Sequence, residues 1–543
     1  MTWRNQFGDF RPTVLGAAVA LVMVAMALCR CGSGSGIAPS SGASDADGGE
    51  SDATGSDVVV VVGTSSDDAS SAKSEDGGAD SLVQPDASEA GSPFPCDTTE
   101  EPKDEPCLVT ETFGVFVSAT AGSNGMGTRA SPLNSINAGI TQAVVQGPIG
   151  APKYVYVCAH AYNETISIGS TRDQVQVFGG FRCTDWSYTG EMPVLAPAEA
   201  GVPLTLTSLT SALFADLEID APNAPSGAVD ADSGAGASSI AVLANGATGV
   251  EFRRSTILAG NGQPGAGGVV TPYVFPTALA LRGNAADGGA GGASKPYDCP
   301  NNQGTTGGAG GDVPSGPGDD GLPFLGAGAG GTSSDCVNLM TGGAGAGGSP
   351  GPNGAGALIA GSLTAVAWHP QPGSVGTSGN PGQGGGGGGS TNSGGGGSGG
   401  AGGCGGAGGA GGGGGGASIA VFCVNAALTF TDVTLVSAAG GRGGAGSLGQ
   451  PGEALGGSGG AADPGGGGGC PGGPGGPGGT GGAGGGGAGG MSVGIAYKGT
   501  APSLDAMSTT KFVQGQAGPK GTGGVPGTND GIAGPTGLQV LLP

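Results

Sequence analysis

The chain has 543 residues, a net charge of −24 and 130 glycines, with only 4% aromatic and 11% charged residues. Glycine stands far above its usual share of ~7%, and a packed globule of this length would need more large apolar side chains. What remains is enough for one slender, repetitive core, and the strict Gly-X-Y period of collagen is not kept along the chain, which excludes a triple helix. Of the 41 acidic residues, 17 lie between Asp45 and Glu105, opposed there only by Lys73 and Lys103. No basic patch offsets them, which argues against nucleic acid and anionic membrane surfaces as partners.

Residues 1–31 read as an export signal. Arg4 and Arg11 precede an apolar run from Val14 to Leu28, slightly short for a spanning helix. Cys29 or Cys31 follows, then Gly-Ser-Gly-Ser-Gly. An apolar run that ends at cysteine and opens into a Ser/Gly tether is similar to a bacterial lipoprotein signal. That resemblance implies lipidation at Cys29 or Cys31; simple cleavage and an uncleaved anchor are the alternatives. All three place the chain outside the cytoplasm, at the cell envelope, the outer-membrane surface or in secreted form. Residues 32–95 form an acidic Ser/Asp/Gly linker expected to be disordered, interrupted by the five valines Val58–Val62.

Order is expected from Cys96. Gly114-Val-Phe-Val-Ser reads as a strand. Ser131 to Val145 reads as an amphipathic helix with Ser131 as N-cap and Pro132 in the first turn. Tyr154–Cys158, Glu164–Ile168 and Val175–Phe181 follow as strands. The loop Ala119-Thr-Ala-Gly-Ser-Asn-Gly-Met-Gly-Thr-Arg-Ala-Ser-Pro between the first strand and the helix resembles the opening of right-handed parallel β-helix proteins of the pectin-lyase-like type. Val155-Tyr-Val-Cys-Ala-His-Ala-Tyr-Asn-Glu-Thr-Ile and Phe178-Gly-Gly-Phe-Arg-Cys-Thr-Asp-Trp resemble the next elements of secreted members of that group. The resemblance implies a helix that caps the first coil.

The unit Ser239-Ile-Ala-Val-Leu-Ala-Asn…Thr-Ile-Leu-Ala-Gly260 returns at Ser418 and, more loosely, at Ser492. Short β-branched runs separated by small turn residues are the pattern of a solenoid coil. Ile240, Val242 and Ala244 are expected on one face, as are Ile419, Val421 and Cys423. The expected fold is therefore all-β: a right-handed parallel β-helix solenoid with an N-terminal capping helix and long glycine-rich insertions between coils. Residues 96–260 would form the first coils, and 261–543 coils interrupted by glycine tracts. Strand-like pieces in that second part lie at Thr277–Arg282, Ala357–Trp368, Ser418–Val436 and Ser492–Tyr497. The tracts resemble the glycine-rich repeats of mycobacterial surface proteins. They are expected to leave the solenoid at corners and, since glycine costs the most backbone entropy to order, to be either mobile or laid against one another as extended, polyproline-II-like chains; regular Pro and Ala punctuation favours partial order.

Catalytic chemistry has little to stand on. A polygalacturonase-like site needs clustered aspartates, a Gly-His-Gly segment and a basic motif. Asp319-Asp320 sits in a turn composition, His160 and His369 are isolated, and Arg253-Arg254 beside Glu251 reads as an exposed charge pair. Gly307-Gly-Ala-Gly-Gly-Asp312 matches one copy of a calcium-binding repeat that needs consecutive copies. No catalytic residue, metal ligand or cofactor is assigned. Of the 11 cysteines, those in an exported chain should oxidise. The expected pairs are Cys96–Cys107, Cys158–Cys183, Cys299–Cys336 and Cys404–Cys470, with Cys423 a buried free thiol. The function expected is a monomeric, lipid-anchored surface protein with a structural, adhesive or matrix-contact role. It would meet the membrane through its anchor, and extracellular matrix, polysaccharide or other surface proteins through its body. The alternative is a carbohydrate-binding or carbohydrate-active protein on the same fold.

Overall fold

The computed structural model describes residues 96–146, 153–332, 341–364, 367–463 and 468–543. The chain divides into Met1–Glu89 and Ala90–Pro543, and every described residue belongs to the second unit. The expected signal with Cys29 and Cys31, the linker with Val58–Val62, and Cys336 lie outside the described residues. The second unit is all-β with mostly parallel sheets.

Three parallel sheets are visited in rotation. Leu204–Thr207, Ala212–Ala215 and Glu218–Asp220 each belong to a different sheet. The next round is Ser239–Asn245, Val250–Arg253 and Thr256–Leu258, and the one after is Ser418–Val424, Leu428–Thr431 and Thr434–Val436. Each strand pairs in register with its counterpart one round later: Val242 with Leu204 and Val421, Phe252 with Phe214 and Phe430, Ile257 with Ile219 and Leu435. Register keeps like above like. Phe214, Phe252 and Phe430 therefore stack at ring separations of 5.2 and 5.4 Å, each pair contributing about 0.5–1.5 kcal/mol beyond its area burial. Two corners per round take left-handed backbone. Ser208, Gly246, Asn425 and Gly499 hold one, and Asp216, Arg254 and Asp432 the other, all with positive φ.

Helix Ile136–Gln146 packs Ile136, Ile140 and Ala143 onto the first strands. It begins later than expected. Ser135 Oγ accepts from the Ala138 amide, and Glu164 accepts from the amides of Ile136 and Asn137. Ser131 is consumed in a turn with Thr128, and Leu133 extends to bridge Val117. The first-turn donors are thus shared between Ser135, a local N-cap one turn later than expected, and Glu164 on the returning chain, and only the second of these is invisible to local N-cap rules.

Two further readings are corrected, and the strand-like reading at Ala357–Trp368 is borne out in part. Ile240 and Ile419 do not share the face of Val242 and Val421: they pack with Trp368 on the outside, while Ala241, Ala420 and the residues after them fill the main core. Period-two alternation slips at each alanine, which is small enough to turn inward beside valine. Ala278–Leu281 is a short helix, and Ala357–Trp368 contributes to an antiparallel hairpin of Gly361–Thr364 with Ala367–Pro370. That hairpin lays Trp368 over Phe422 and Val493 on the outer face of one sheet.

Candidate functional site

Four segments leave the stack at one corner, between a Glu218-type strand and the next Ser239-type strand: 221–238, 259–417, 437–491 and 514–535. Buried serines mark where three of them rejoin. Ser239 Oγ donates to the Pro222 carbonyl and accepts from the Gly260 amide. Ser418 Oγ accepts from the Ala438 amide, and Ser492 Oγ donates to the Ala438 carbonyl. Adjacent rounds are about 4.8 Å apart, so chains leaving together run side by side. Gly262 and Gly265 accordingly donate to the carbonyls of Ala439 and Arg442.

These segments build a slab of extended glycine chains around 396–416. Gly400, Gly403, Gly406, Gly409 and Gly412 donate to the carbonyls of Gly473, Gly476, Gly479, Gly482 and Gly485 at 2.8–3.0 Å. From another side Gly382, Gly379, Gly376 and Gly373 donate to the carbonyls of Gly403, Gly406, Gly409 and Gly412. Every third residue repeats the same bond, and none is local, which is the geometry of polyproline-II-type helices with three residues per turn.

The sequence phase follows from sterics. A Cβ on Gly399, Gly402, Gly405 or Gly408 would overlap a carbonyl oxygen of 376–385, and one on Gly400, Gly406 or Gly409 a carbonyl oxygen of 447–457. Only the third position has room, and there stand Ser398, Ala401, Cys404, Ala407 and Ala410. Segments with fewer neighbours need glycine only once in three, as at Gly373, Gly376, Gly379 and Gly382. Glycine at every third residue is thus kept locally, in staggered blocks, although not along the chain. That phased spacing was the readable signal for the slab; a chain-wide test for Gly-X-Y passes over it.

Side chains complete the lattice where main chain is missing. The amides of Ala401 and Ser398 bond Leu281 and Asn284, and those of Gly413 and Gly416 bond Ala266 and Gln263. Between these contacts the covering chain departs over 269–280. The orphaned amides of Cys404, Ala407 and Ala410 bond Glu453, Gln450 and Ser447 instead. Burial pushes the Glu453 carboxyl above the ordinary carboxylate range, partly offset by the Cys404 amide.

Disulfides join Cys96 to Cys107, Cys158 to Cys183 and Cys299 to Cys404. The last corrects two expectations. Cys404 does not pair with Cys470, nor Cys299 with Cys336, although Cys470 is itself disulfide-bonded. The slab sets Cys404 in its interior, where the hairpin-like excursion around Cys299 meets it, 5.5 Å between Cα atoms. Cys423 is free and buried opposite Ala244, and burial raises its thiol pKa.

The candidate chemical residues are dispersed. His160 follows a strand, beside Cys158 and Cys183, whose sulfurs are committed to each other. His369 lies on the outer hairpin. Asp312 accepts from the Gly291 amide and Asp320 from the Gly330 amide, both as loop braces, and Asp319 is exposed. A cleft of about 440 Å³ beside Trp368, Met491 and Val540 has no acidic or basic side chain among its described lining residues. Arg253 and Arg254 are half-buried, which corrects the exposed pair expected. Glu101 bridges both at 2.5 Å, Arg254 also meets Asp216 at 2.8 Å and Arg253 meets Glu251 at 2.7 Å. Burial alone would raise the Glu101 carboxyl, but hydrogen bonds from the two guanidinium groups outweigh it and hold the pKa low. This network fastens the loop closed by Cys96–Cys107 onto the sheet.

No known protein family, curated protein or solved structure matches the chain.

Proposed function

We propose that the protein is an exported, non-enzymatic component of the cell envelope that works by contact. In this reading the stack is a right-handed parallel β-helix capped by Ile136–Gln146. Residues 1–31 direct export, with Cys29 or Cys31 as the lipid-bearing residue, and residues 32–95 are a tether. The glycine slab is the surface offered to matrix, polysaccharide or neighbouring surface proteins.

The observation that carries this is the slab's three-residue hydrogen-bond lattice. Glycine is the costliest residue to order, yet here long glycine tracts are fixed by interchain-like bonds and by Cys299–Cys404. What this arrangement yields is a braced slab whose glycine main chain is largely packed inside, while exposed residues between the glycines such as Pro474, Pro477, Thr480, Thr377 and Val375 present their side chains outward. Disulfides favour an oxidising compartment.

Fractionation of the native host, protease shaving of intact cells and mass spectrometry of the mature amino terminus test the proposal. The expected result is a surface-exposed chain beginning at an acylated Cys29 or Cys31. A cytoplasmic chain retaining Met1 with reduced cysteines would refute it.

A further inference from the structure

Among the described residues, one groove of the slab is filled along part of its length and open along the rest. Its walls are the glycine chains 437–459 and 470–490. Over the first part, segment 513–524 lies in it. The amides of Ser437, Gly440, Gly443 and Gly446 donate to the carbonyls of Val513, Gln516, Pro519 and Thr522. The amides of Gly518, Gly521 and Gly524 donate to the carbonyls of Gly490, Gly487 and Gly484. Glycine is required in the occupant at every third residue, because a Cβ on Gly515, Gly518, Gly521 or Gly524 would overlap the carbonyl of Ala438, Gly441, Gly444 or Ser447.

Beyond Gly524 the occupant turns away. Asp530 gathers the amides of Gly523 and Gly527 and pairs with Lys520 at 2.9 Å, closing the turn. Both walls continue past this point in the same three-residue phase. Next in the donor row are the amides of Gly449 and Gly452; next in the acceptor row are the carbonyls of Gly481, Gly478 and Gly475. None of these groups has a hydrogen-bond partner among the described residues, and Gly449, Gly452, Gly475 and Gly478 are partly exposed. Thr480 and Pro477, exposed, continue the wall row that begins at Ala483, whose Cβ borders Gly524. On the other wall chain Leu448 and Leu455 stand 66% and 77% exposed.

We propose that this open part of the groove is a docking site for an extended strand of another polypeptide with glycine at every third residue. It would be gripped by the same alternation of wall donors and acceptors that holds 513–524. The occupant is inferred from continuity with that internal interface: the open walls repeat its bonding period, and the same carbonyl crowding demands glycine at the same spacing. The wall rows from Gly449 to Gly452 and from Gly481 to Gly475 accommodate two to three repeats, each rising about 9 Å. The proposal deepens the contact role above by naming a partner chemistry. It depends on that role only for its biological setting, since the binding measurement can fail while surface location stands, and the reverse.

The test uses the full chain and a fluorescein-labelled peptide with the sequence of residues 513–524, Val-Gln-Gly-Gln-Ala-Gly-Pro-Lys-Gly-Thr-Gly-Gly. Anisotropy should show saturable one-to-one binding, and hydrogen exchange should slow at the Gly449 and Gly452 amides. A peptide with alanine at the positions of Gly515, Gly518 and Gly521 should bind at least tenfold more weakly. Thr480→Arg, which projects a charged side chain at the open groove from an exposed position, should weaken binding tenfold. Val375→Arg, on a different glycine chain, should leave binding unchanged. Absence of saturation up to millimolar peptide, equal binding of the alanine peptide, or indifference to Thr480→Arg would each overturn the proposal. So would dimerisation in sedimentation without peptide that Thr480→Arg abolishes, because a second copy would then own the groove.

Discussion

Gly405→Ala adds one methyl group to the middle of the slab and tests its packing directly. The new Cβ would overlap the carbonyl oxygen of Gly379. Chain 373–382 would have to retreat by roughly 1 Å, enough to forfeit a quarter to a half of each dispersion contact along the seam. The bond from the Gly379 amide to Gly406 spans 2.9 Å and its neighbours from Gly376 and Gly382 span 2.8 Å, so all three lengthen together. Overpacking costs about 1–3 kcal/mol and each weakened bond up to about 1 kcal/mol. Against this, alanine restricts the unfolded chain and returns about 0.4–1 kcal/mol. The expected net loss is about 2–3 kcal/mol. Gly347→Ala is the internal control. Its Cβ would meet Pro477 Cγ at 3.4 Å, an ordinary contact, so only the entropy term acts and the variant should be neutral or slightly stabilised. Hydrogen exchange at the amides of Gly376, Gly379 and Gly382, with denaturant midpoints alongside, measures both. If Gly405→Ala proves no worse than Gly347→Ala, the close-packed lattice is refuted.

Acid should loosen the amino-terminal loop. Glu101 has its pKa lowered in the folded chain, so its stabilisation is present above the ordinary carboxylate range and is lost as pH falls through the folded value. Limited proteolysis of residues 96–113 should accelerate between pH 7 and pH 3, and Glu101→Gln should remove that dependence while costing roughly 2 kcal/mol at pH 7. Glu453 should behave with opposite sign. Its pKa is raised, so its favourable contribution is held below the unfolded value and fades as pH rises through the folded one. Glu453→Gln should slow exchange of the Cys404 amide at pH 7 and flatten its pH profile. Non-reducing peptide mapping should recover Cys299 linked to Cys404, across a separation of 105 residues. Reducing it should destabilise the slab by about 4–5 kcal/mol if loop entropy governs, whereas Cys423 should resist alkylation until the chain is unfolded.

The sequence by itself determined the all-β class, the repeating strands at Ser239, Ser418 and Ser492, and the corner from which the glycine tracts depart. Those features are written in local alternation, turn residues and near-identical repeats, and a strand stacked on its own copy needs no distant information. Cys423 could likewise be read as buried from its alignment with Ala244. What only the tertiary structure decided involves residues far apart in the chain. Glu101 meets Arg253 and Arg254 across more than 150 positions, and Glu164 caps a helix that begins 28 residues before it. Cys404 finds Cys299 because the slab folds one excursion onto another; adjacency of tracts had pointed to Cys470. The glycines show the division most plainly. Their abundance was visible at once, but which of three successive glycines must lack a side chain depends on whose carbonyl lies 2.8–3.0 Å from the next amide. That neighbour belongs to a distant segment, 21 residues away where Gly382 bonds Gly403 and 177 where Gly265 bonds Arg442, so the repeat acquires its meaning only when the segments are laid side by side.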